Sequence, residues 1–399
     1  MHFKMNLSFL SGNILVLLIA SVFPQNYHIY FGDLHSHTSF SDGKGTPTQA
    51  YVQARKYGAD FMAVTDHSYY EKSYFDSIKI AADENTMNQF VAIAAFEMTR
   101  SWGHMNIFNT QWVVTEAMDR KAFYSLIAED SLCIAQWNHP LEFSSEFDNF
   151  TGYTPELDKV INLLEIINDK RNELYESSYI KALDKGWHIA PAANSDNHNA
   201  KWIKGYDRRT AIIATGLTRE ELFAAIRKHR VYATENSNLH INFFINDSIM
   251  GSEIPRSSQF VAKIELLDPD TFDSYDKITS VQIIGNGGKV VASFPCMDHT
   301  VNWTHHFDKE DSSNTYYFLK TKNFRGELAF TAPIWITGDS APEKPVPKIK
   351  KTQLLYDLSG RLVEKQLSEI QKSPHRLSSG IYIIQNGRNN GGRYLPLLW

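Results

Sequence analysis

The chain has 399 residues, 43% of them hydrophobic and 21% charged, which supplies apolar material for two or three domains and excludes a disordered polymer. A net charge of -5 without a long basic run excludes extended nucleic-acid binding but leaves a nucleotide-sized substrate open. The two cysteines, Cys133 and Cys296, are too distant to build a disulfide framework or a metal-ligand spacing, so any metal site must use nitrogen and oxygen.

Lys4 is followed by an apolar run from Ile14 to Phe23, interrupted by Ser21 and ended by Pro24. This pattern predicts a signal peptide over residues 1–24, because the run is shorter than the roughly 20 residues a spanning helix needs. The expectation is a secreted or cell-surface protein with no transmembrane span, the periplasm being the alternative location.

From 27 to 236, short apolar runs alternate with amphipathic stretches, which predicts an α/β domain with a largely parallel sheet. Strands are expected at Ile29 to Leu34, Phe61 to Thr65, Val91 to Phe96, Met105 to Phe108, Leu132 to Trp137, Leu163 to Ile167 and Ile189 to Ala193. Helices are expected at Thr48 to Tyr57, Glu71 to Met87, Glu116 to Ala128, Asn172 to Lys185 and Arg219 to Lys228, the last capped by Thr218 with Glu221 at capping-box spacing. Residues 237–337 change to alternating strands with Gly, Asn and Asp turns, expected at Ile241 to Ile245, Phe260 to Leu267, Ser280 to Ile284, Lys289 to Phe294, Thr315 to Leu319 and Leu328 to Thr337, with a hairpin at Asn286-Gly287, and predict a small β-sandwich. A proline- and lysine-rich linker (338–351) leads to a short β-rich segment (352–399).

Polar chemistry falls at the strand ends. His35 and His37 flank Ser36, and alternate residues of an extended chain point the same way, so both imidazoles can reach one ion. Ser41-Asp42-Gly43 follows at a turn; Asp66-His67 closes the second strand, and Glu97 follows an apolar run, where a carboxylate is costly to bury unpaired. His104 and Asn106 precede the next strand, His139 ends another, and Asp196 and His198 end the last. Each has a bland explanation alone, such as a helix cap or a satisfied core histidine, but six such stretches at strand ends do not share one. Imidazole and carboxylate suit zinc, manganese or iron. About nine ligands exceed what one ion can use, so two or three divalent ions are implied.

The ordered series His35-x-His37, Ser41-Asp42-Gly43, Asp66-His67, Glu97, Gly103-His104-x-Asn106, His139 and Asp196-x-His198 resembles the polymerase and histidinol phosphatase (PHP) superfamily. Arg209-Thr210, the 217–221 helix start, Arg230 to Thr234 and Ala332 to Trp335 resemble its CehA/McbA-type metallohydrolases. The resemblance implies a distorted (β/α)7 barrel, followed by the sandwich and the β-rich segment. It further implies one ion on His35, His37, Glu97 and Asp196, a second on Glu97, His104 and His139, and a third on Asp42, His67 and His198. Leu354 to Val363 and Leu377 to Ile384 resemble the type IX secretion sorting domain, which implies cell-surface attachment.

The expected reaction is hydrolysis by a metal-bound hydroxide, with Glu97, Asp66 and His104 as candidate catalytic groups. Lys201, Arg208 and Arg209 follow the last motif closely and are candidate substrate-binding cations for an anionic small-molecule ester, their bland alternative being a solvated loop. The favoured activity is that of a phosphoesterase or phosphodiesterase. The alternatives are hydrolysis of carboxylic or carbamic esters and a non-catalytic surface binding protein.

Overall fold

The computed structural model describes residues 27–68, 71–140, 146–168, 173–308 and 314–338, and the backbone of four strands between 353 and 396. The expected signal peptide, and the expected linker beyond Gly338, lie outside the described residues. The chain divides into two compact units, at the step from Thr337 to Gly338.

The first unit opens with β1 (His28–Asp33), α1 (Pro47–Lys56), β2 (Phe61–Val64), α2 (Lys72–Asn85), β3 (Val91–Arg100) and β4 (Gly103–Phe108). It continues with α3 (Arg120–Glu129), β5 (Ile134–Asn138), α4 (Pro155–Asp158), β6 (Ile161–Asn168), β7 (Glu173–Leu174), α5 (Glu176–Asp184), β8 (Ala190–Asn194), β9 (Arg209–Ala214), α6 (Arg219–Arg227) and β10 (Val231–Thr234). The seven expected strands are present as β1 to β6 and β8. Most are short, continuous apolar runs because they are covered on both faces, as β2 is, with all four residues buried. The helices lay narrow apolar stripes on this sheet. Ala50, Tyr51 and Ala54 form the stripe of α1, whose start is fixed by a Thr46–Gln49 capping box and Pro47.

The seven strands form a distorted barrel. β1, β2 and β3 are parallel, β4 is antiparallel to both β3 and β5, and β5, β6 and β8 are again parallel. Closure occurs just beyond the strand ends, where Ser36 and Asn197 form a parallel bridge and Asp196 N donates to His35 O (2.9 Å). The inverted β4 has a consequence for the site. Because it starts at the rim where the others finish, its first residues, Gly103 and His104, join the same rim. The β1–β2 approach demands glycine at Gly32, where a Cβ would stand 2.2 Å from Phe61 O.

The sheet continues past the barrel through β9, antiparallel to β1, and β10, antiparallel to β9. Next come β11 (His240–Ile245), β12 (Ser248–Ile249), β13 (Glu253–Pro255), β14 (Val261–Leu267), β15 (Ile278–Ile284), β16 (Val290–Asp298), β17 (Thr300–His306), β18 (Tyr316–Asn323), β19 (Leu328–Thr331) and β20 (Ile334–Thr337). The sheet β12-β11-β14-β17 packs Ile241, Phe243, Ile264 and Leu266 against Val281, Ile283 and Leu319 of the facing strands. The barrel and this sandwich share hydrogen bonding, since β10 pairs with β19 through Ala233 and Phe330. The stretch expected as one strand from Leu328 to Thr337 is two, broken at Pro333, whose ring nitrogen has no proton to donate to a ladder.

The second unit contains a separate antiparallel sheet of β21 (Gln353–Tyr356), β22 (Leu362–Glu364), β23 (Ile381–Asn386) and β24 (Arg393–Pro396), in the order β22-β21-β23-β24.

Candidate metal centre

The barrel rim is built by backbone that the closure locks in place. Ser36 is held on both sides, by the Asn197 bridge and by Thr65 N donating to Ser36 O (2.9 Å), so His35 and His37 project together from an extended segment. Their Nε2 atoms lie 3.2 Å apart, and both side chains are fully buried. Trp202, itself buried, donates its indole N–H to His37 O (3.1 Å).

The loop after His37 carries Asp42, and Gly43 lets it turn back, because a Cβ there would meet the His37 carbonyl carbon at 2.8 Å. Asp42 reaches His67 Nε2 (3.4 Å) and His198 Nε2 (3.1 Å). Asp66 anchors this loop: its carboxylate accepts from Thr38 N (2.7 Å), Thr38 Oγ1 (2.5 Å) and Ser41 Oγ (2.5 Å). Both oxygens of the expected catalytic Asp66 are therefore engaged in holding the loop that delivers Asp42.

Glu97 is the centre of the arrangement. Its oxygens lie 2.6 Å from His67 Nδ1, 3.3 Å from His35 Nε2, 3.4 Å from His104 Nδ1, 3.5 Å from His139 Nε2 and 3.8 Å from His37 Nε2. It sits inside β3 rather than at its end, opposite Asn106 of β4, and Asn138 Nδ2 donates to it (2.8 Å). On the other side, Asp196 Oδ1 lies 3.3 Å from His37 Nε2, 3.4 Å from His198 Nδ1 and 3.6 Å from His35 Nε2. His139 and Asp196 both have positive φ (28° and 48°), strained backbone for residues other than glycine, at the two strand ends that turn side chains inward.

All nine residues expected as ligands are brought to this rim. Three groups have ligand atoms within 4.8 Å of one another: His35, His37 and Asp196; His35, Glu97 and His139; and His37, Asp42, His67 and His198. Relative to the partition the resemblance implied, His35 also joins the Glu97–His139 group and His37 joins the Asp42 group. His104 approaches Glu97 from outside these groups.

Burial alone would push the Glu97 carboxyl up, but His104, His67 and His35 hold it well below the usual carboxylate range. Burial likewise disfavours a charged His35, and Glu165, Asp196 and Glu97 reverse this, raising it well above the ordinary imidazole value. Burial opposes His67 as well, while Glu97 and Asp42 raise it to about 9. Asp33 differs: burial raises it to about 6 against weaker hydrogen bonds from Ser195 and His35, and its Oδ2 has no hydrogen-bond partner among the described residues.

The cations expected to bind substrate have other surroundings. Arg208 pairs with Glu235 (3.2 Å), and Arg209, 5% exposed, donates to the carbonyls of Tyr206 (3.0 Å) and Arg208 (2.7 Å). Each guanidinium thus has a partner within the chain. Lys201 is exposed, two residues beyond the Asn199 turn that follows His198.

Sequence reasoning passed over Glu165. It is fully buried in β6 and accepts from His35 Nδ1 (3.0 Å) and His139 N (2.9 Å). Its signal was present, since it interrupts the apolar run Leu163-Leu164-Glu165-Ile166-Ile167 much as Glu97 follows one. Asn106, Asn138, Asn168 and Asn194 form a buried amide layer around the two glutamates, and nothing in their spacing marks them.

The donor set fits divalent ions. Two buried, facing imidazole nitrogens with carboxylate oxygens around them leave lone pairs that a cation satisfies, and nitrogen with oxygen suits zinc, manganese or iron. Fold and site together define a mixed α/β protein with a buried histidine–carboxylate cluster suited to metal. No family model matches the chain. A two-domain protein from Bacteroides vulgatus, named as containing a predicted PHP-like metal-dependent phosphoesterase, is 18% identical, with a TM-score of 0.45 over 77% of this chain and 96% of its own. A protein from Bifidobacterium adolescentis, named as a candidate metal-dependent phosphoesterase, is 15% identical, with a TM-score of 0.29 over 42% of this chain and 87% of its own. A curated relative from Chlamydia muridarum, an uncharacterized protein, is 24% identical over 140 residues, 32% of this chain. The matched part spans 22% of that relative's length.

Proposed function

We propose that this chain is a metal-dependent hydrolase acting on a phosphate mono- or diester. The observation that carries the reading is Glu97, one buried carboxylate with five imidazoles within 3.8 Å. A structural role needs one or two such partners, whereas five imidazoles around one buried carboxylate match the needs of clustered ions. Divalent ions bound there would lower the pKa of a coordinated water toward neutrality and polarise a substrate oxygen.

The chain's own residues divide by depth. His35, His37 and Glu97 are at most 1% exposed and form the floor, while His104 (13%), His198 (15%) and Asp42 (46%) form the open side where an ester can enter. His104, beside Glu97 on this open side, is placed to hold or pass a proton. The shielded floor keeps bulk water from the inner ligands and strengthens every charge interaction among them.

A second reading, hydrolysis of carboxylic or carbamic esters, is favoured by one observation: Arg208 and Arg209 are engaged within the protein, so less positive charge is left for an anionic substrate. Chromogenic phosphate mono- and diesters compared with carboxylic esters, with zinc or manganese added, separate the two. Faster turnover of a phosphate ester supports the first reading; faster turnover of a neutral ester replaces it with the second. Export to the cell surface or medium, with the C-terminal segment as an attachment signal, completes the proposal.

A further inference from the structure

We infer that Glu165 is a positioning residue that fixes the ring orientation and tautomer of His35 and the backbone of His139, and so governs the inner ion positions but not the outer one. The inference rests on the metal reading above.

Four donors converge on the two oxygens of Glu165. Oε1 accepts from His35 Nδ1 (3.0 Å) and Asn194 Nδ2 (3.1 Å), and Oε2 accepts from His139 N (2.9 Å) and Asn168 Nδ2 (2.9 Å). The side chain is fully buried. A group that only accepts is required, and that group is an ionised carboxylate. Against it, His35 must carry its proton on Nδ1. The Nε2 lone pair is then turned toward His37, Glu97 and Asp196, where an ion would need it.

The second oxygen acts on a different residue. His139 has positive φ, and the Glu165 hydrogen bond to its N–H holds that strained turn, which aims Nε2 at Glu97. Asn168 carries the same anchor further, since its Nδ2 also lies 3.4 Å from Asp196 Oδ2. Glu165 thereby supports His35, His139 and Asp196, all in the two inner groups, while Asp42, His67 and His198 belong to the third.

The test is a cobalt(II) titration of the full chain, stripped of metal, followed by calorimetry and visible absorption, comparing unmodified protein with Glu165→Gln. The amide directs an N–H₂ at two of the donors and removes the charge behind His35. Affinity at the inner positions should fall about 10- to 100-fold, with a changed visible spectrum, while the outer ion binds as before. Unchanged titrations, or equal weakening at all positions, would overturn the inference alone. Failure of the unmodified protein to bind any ion would overturn the metal reading and this inference with it. If Glu165→Gln does not fold, nitrogen-15 spectra of histidine-labelled, zinc-loaded unmodified protein decide the matter: His35 protonated on Nδ1 supports the inference, and His35 protonated on Nε2 refutes it.

Discussion

His35 Nε2 and His37 Nε2 face each other at 3.2 Å in a space closed to solvent. The two ring nitrogens are directed into one small space, and Asp196 Oδ1, 3.3 Å from His37, adds negative charge beside them. A cation resolves all of these contacts together, which makes the pair a reporter of whether the rim is a metal site.

Glu97 and His198 differ in how many groups they serve. Glu97→Ala should remove a ligand shared with His35, His37, His67 and His139, disturb at least two ions and reduce turnover by several orders of magnitude. His198→Ala should release one ion, from the group with Asp42 and His67. Metal content of the two variants after desalting checks this, and full metal content in Glu97→Ala would contradict it.

Arg208 and Lys201 should separate stability from substrate affinity. Arg208→Ala breaks a half-buried pair with Glu235 and should cost about 1 kcal/mol of stability while leaving the KM for a phosphate ester nearly unchanged. Lys201→Ala, at an exposed position near His198, should raise KM severalfold for an anionic ester and little for a neutral one. Steady-state kinetics on both ester types, with thermal melts, measure the difference; a large KM effect from Arg208→Ala would return that arginine to the substrate site.

The base of the barrel carries an acid-labile group. Burial, reinforced by neighbouring His188, pushes His229 down to about 4, below the ordinary imidazole value near 6.5. A depressed imidazole stays neutral in the fold while the unfolded chain takes up a proton. Its contribution is therefore present above about pH 6.5 and is lost as pH falls toward about 4. His229→Asn keeps a residue tolerant of the positive φ of 50° and should flatten the melting temperature between those limits. An unchanged pH profile would rule this out.

Export is expected from the apolar run before Pro24. Protein recovered from its native host should begin between about Ser21 and Tyr27 on N-terminal sequencing. Cytosolic protein with Met1 intact would refute it.

Much of this architecture was legible in the sequence, for identifiable reasons. Strands covered on both faces announce themselves as apolar runs, so β1 to β6 and β8 stand out to within a few residues, and the candidate ligands stand out because polar residues that interrupt such runs need a cause. β17 was missed because it is an edge strand, with Val301 its one fully enclosed side chain among residues such as Asn302 and Thr304. β9 and β10 were passed over because β9 starts at Arg209 and β10 is only four residues long. Thr218 does cap α6 through Glu221 N (3.2 Å), but the Glu221 side chain bonds Thr215 instead of closing the box. The engagement of Arg208 depends on Glu235, 27 residues away on the far side of a helix and two strands, and no local pattern encodes it.

The central claim is that one buried cluster holds several ions, and elemental analysis of the full-length protein tests it most directly. After metal-replete reconstitution and desalting, the account predicts two or three divalent ions per chain, bound through nitrogen and oxygen alone. One ion or none would contradict it.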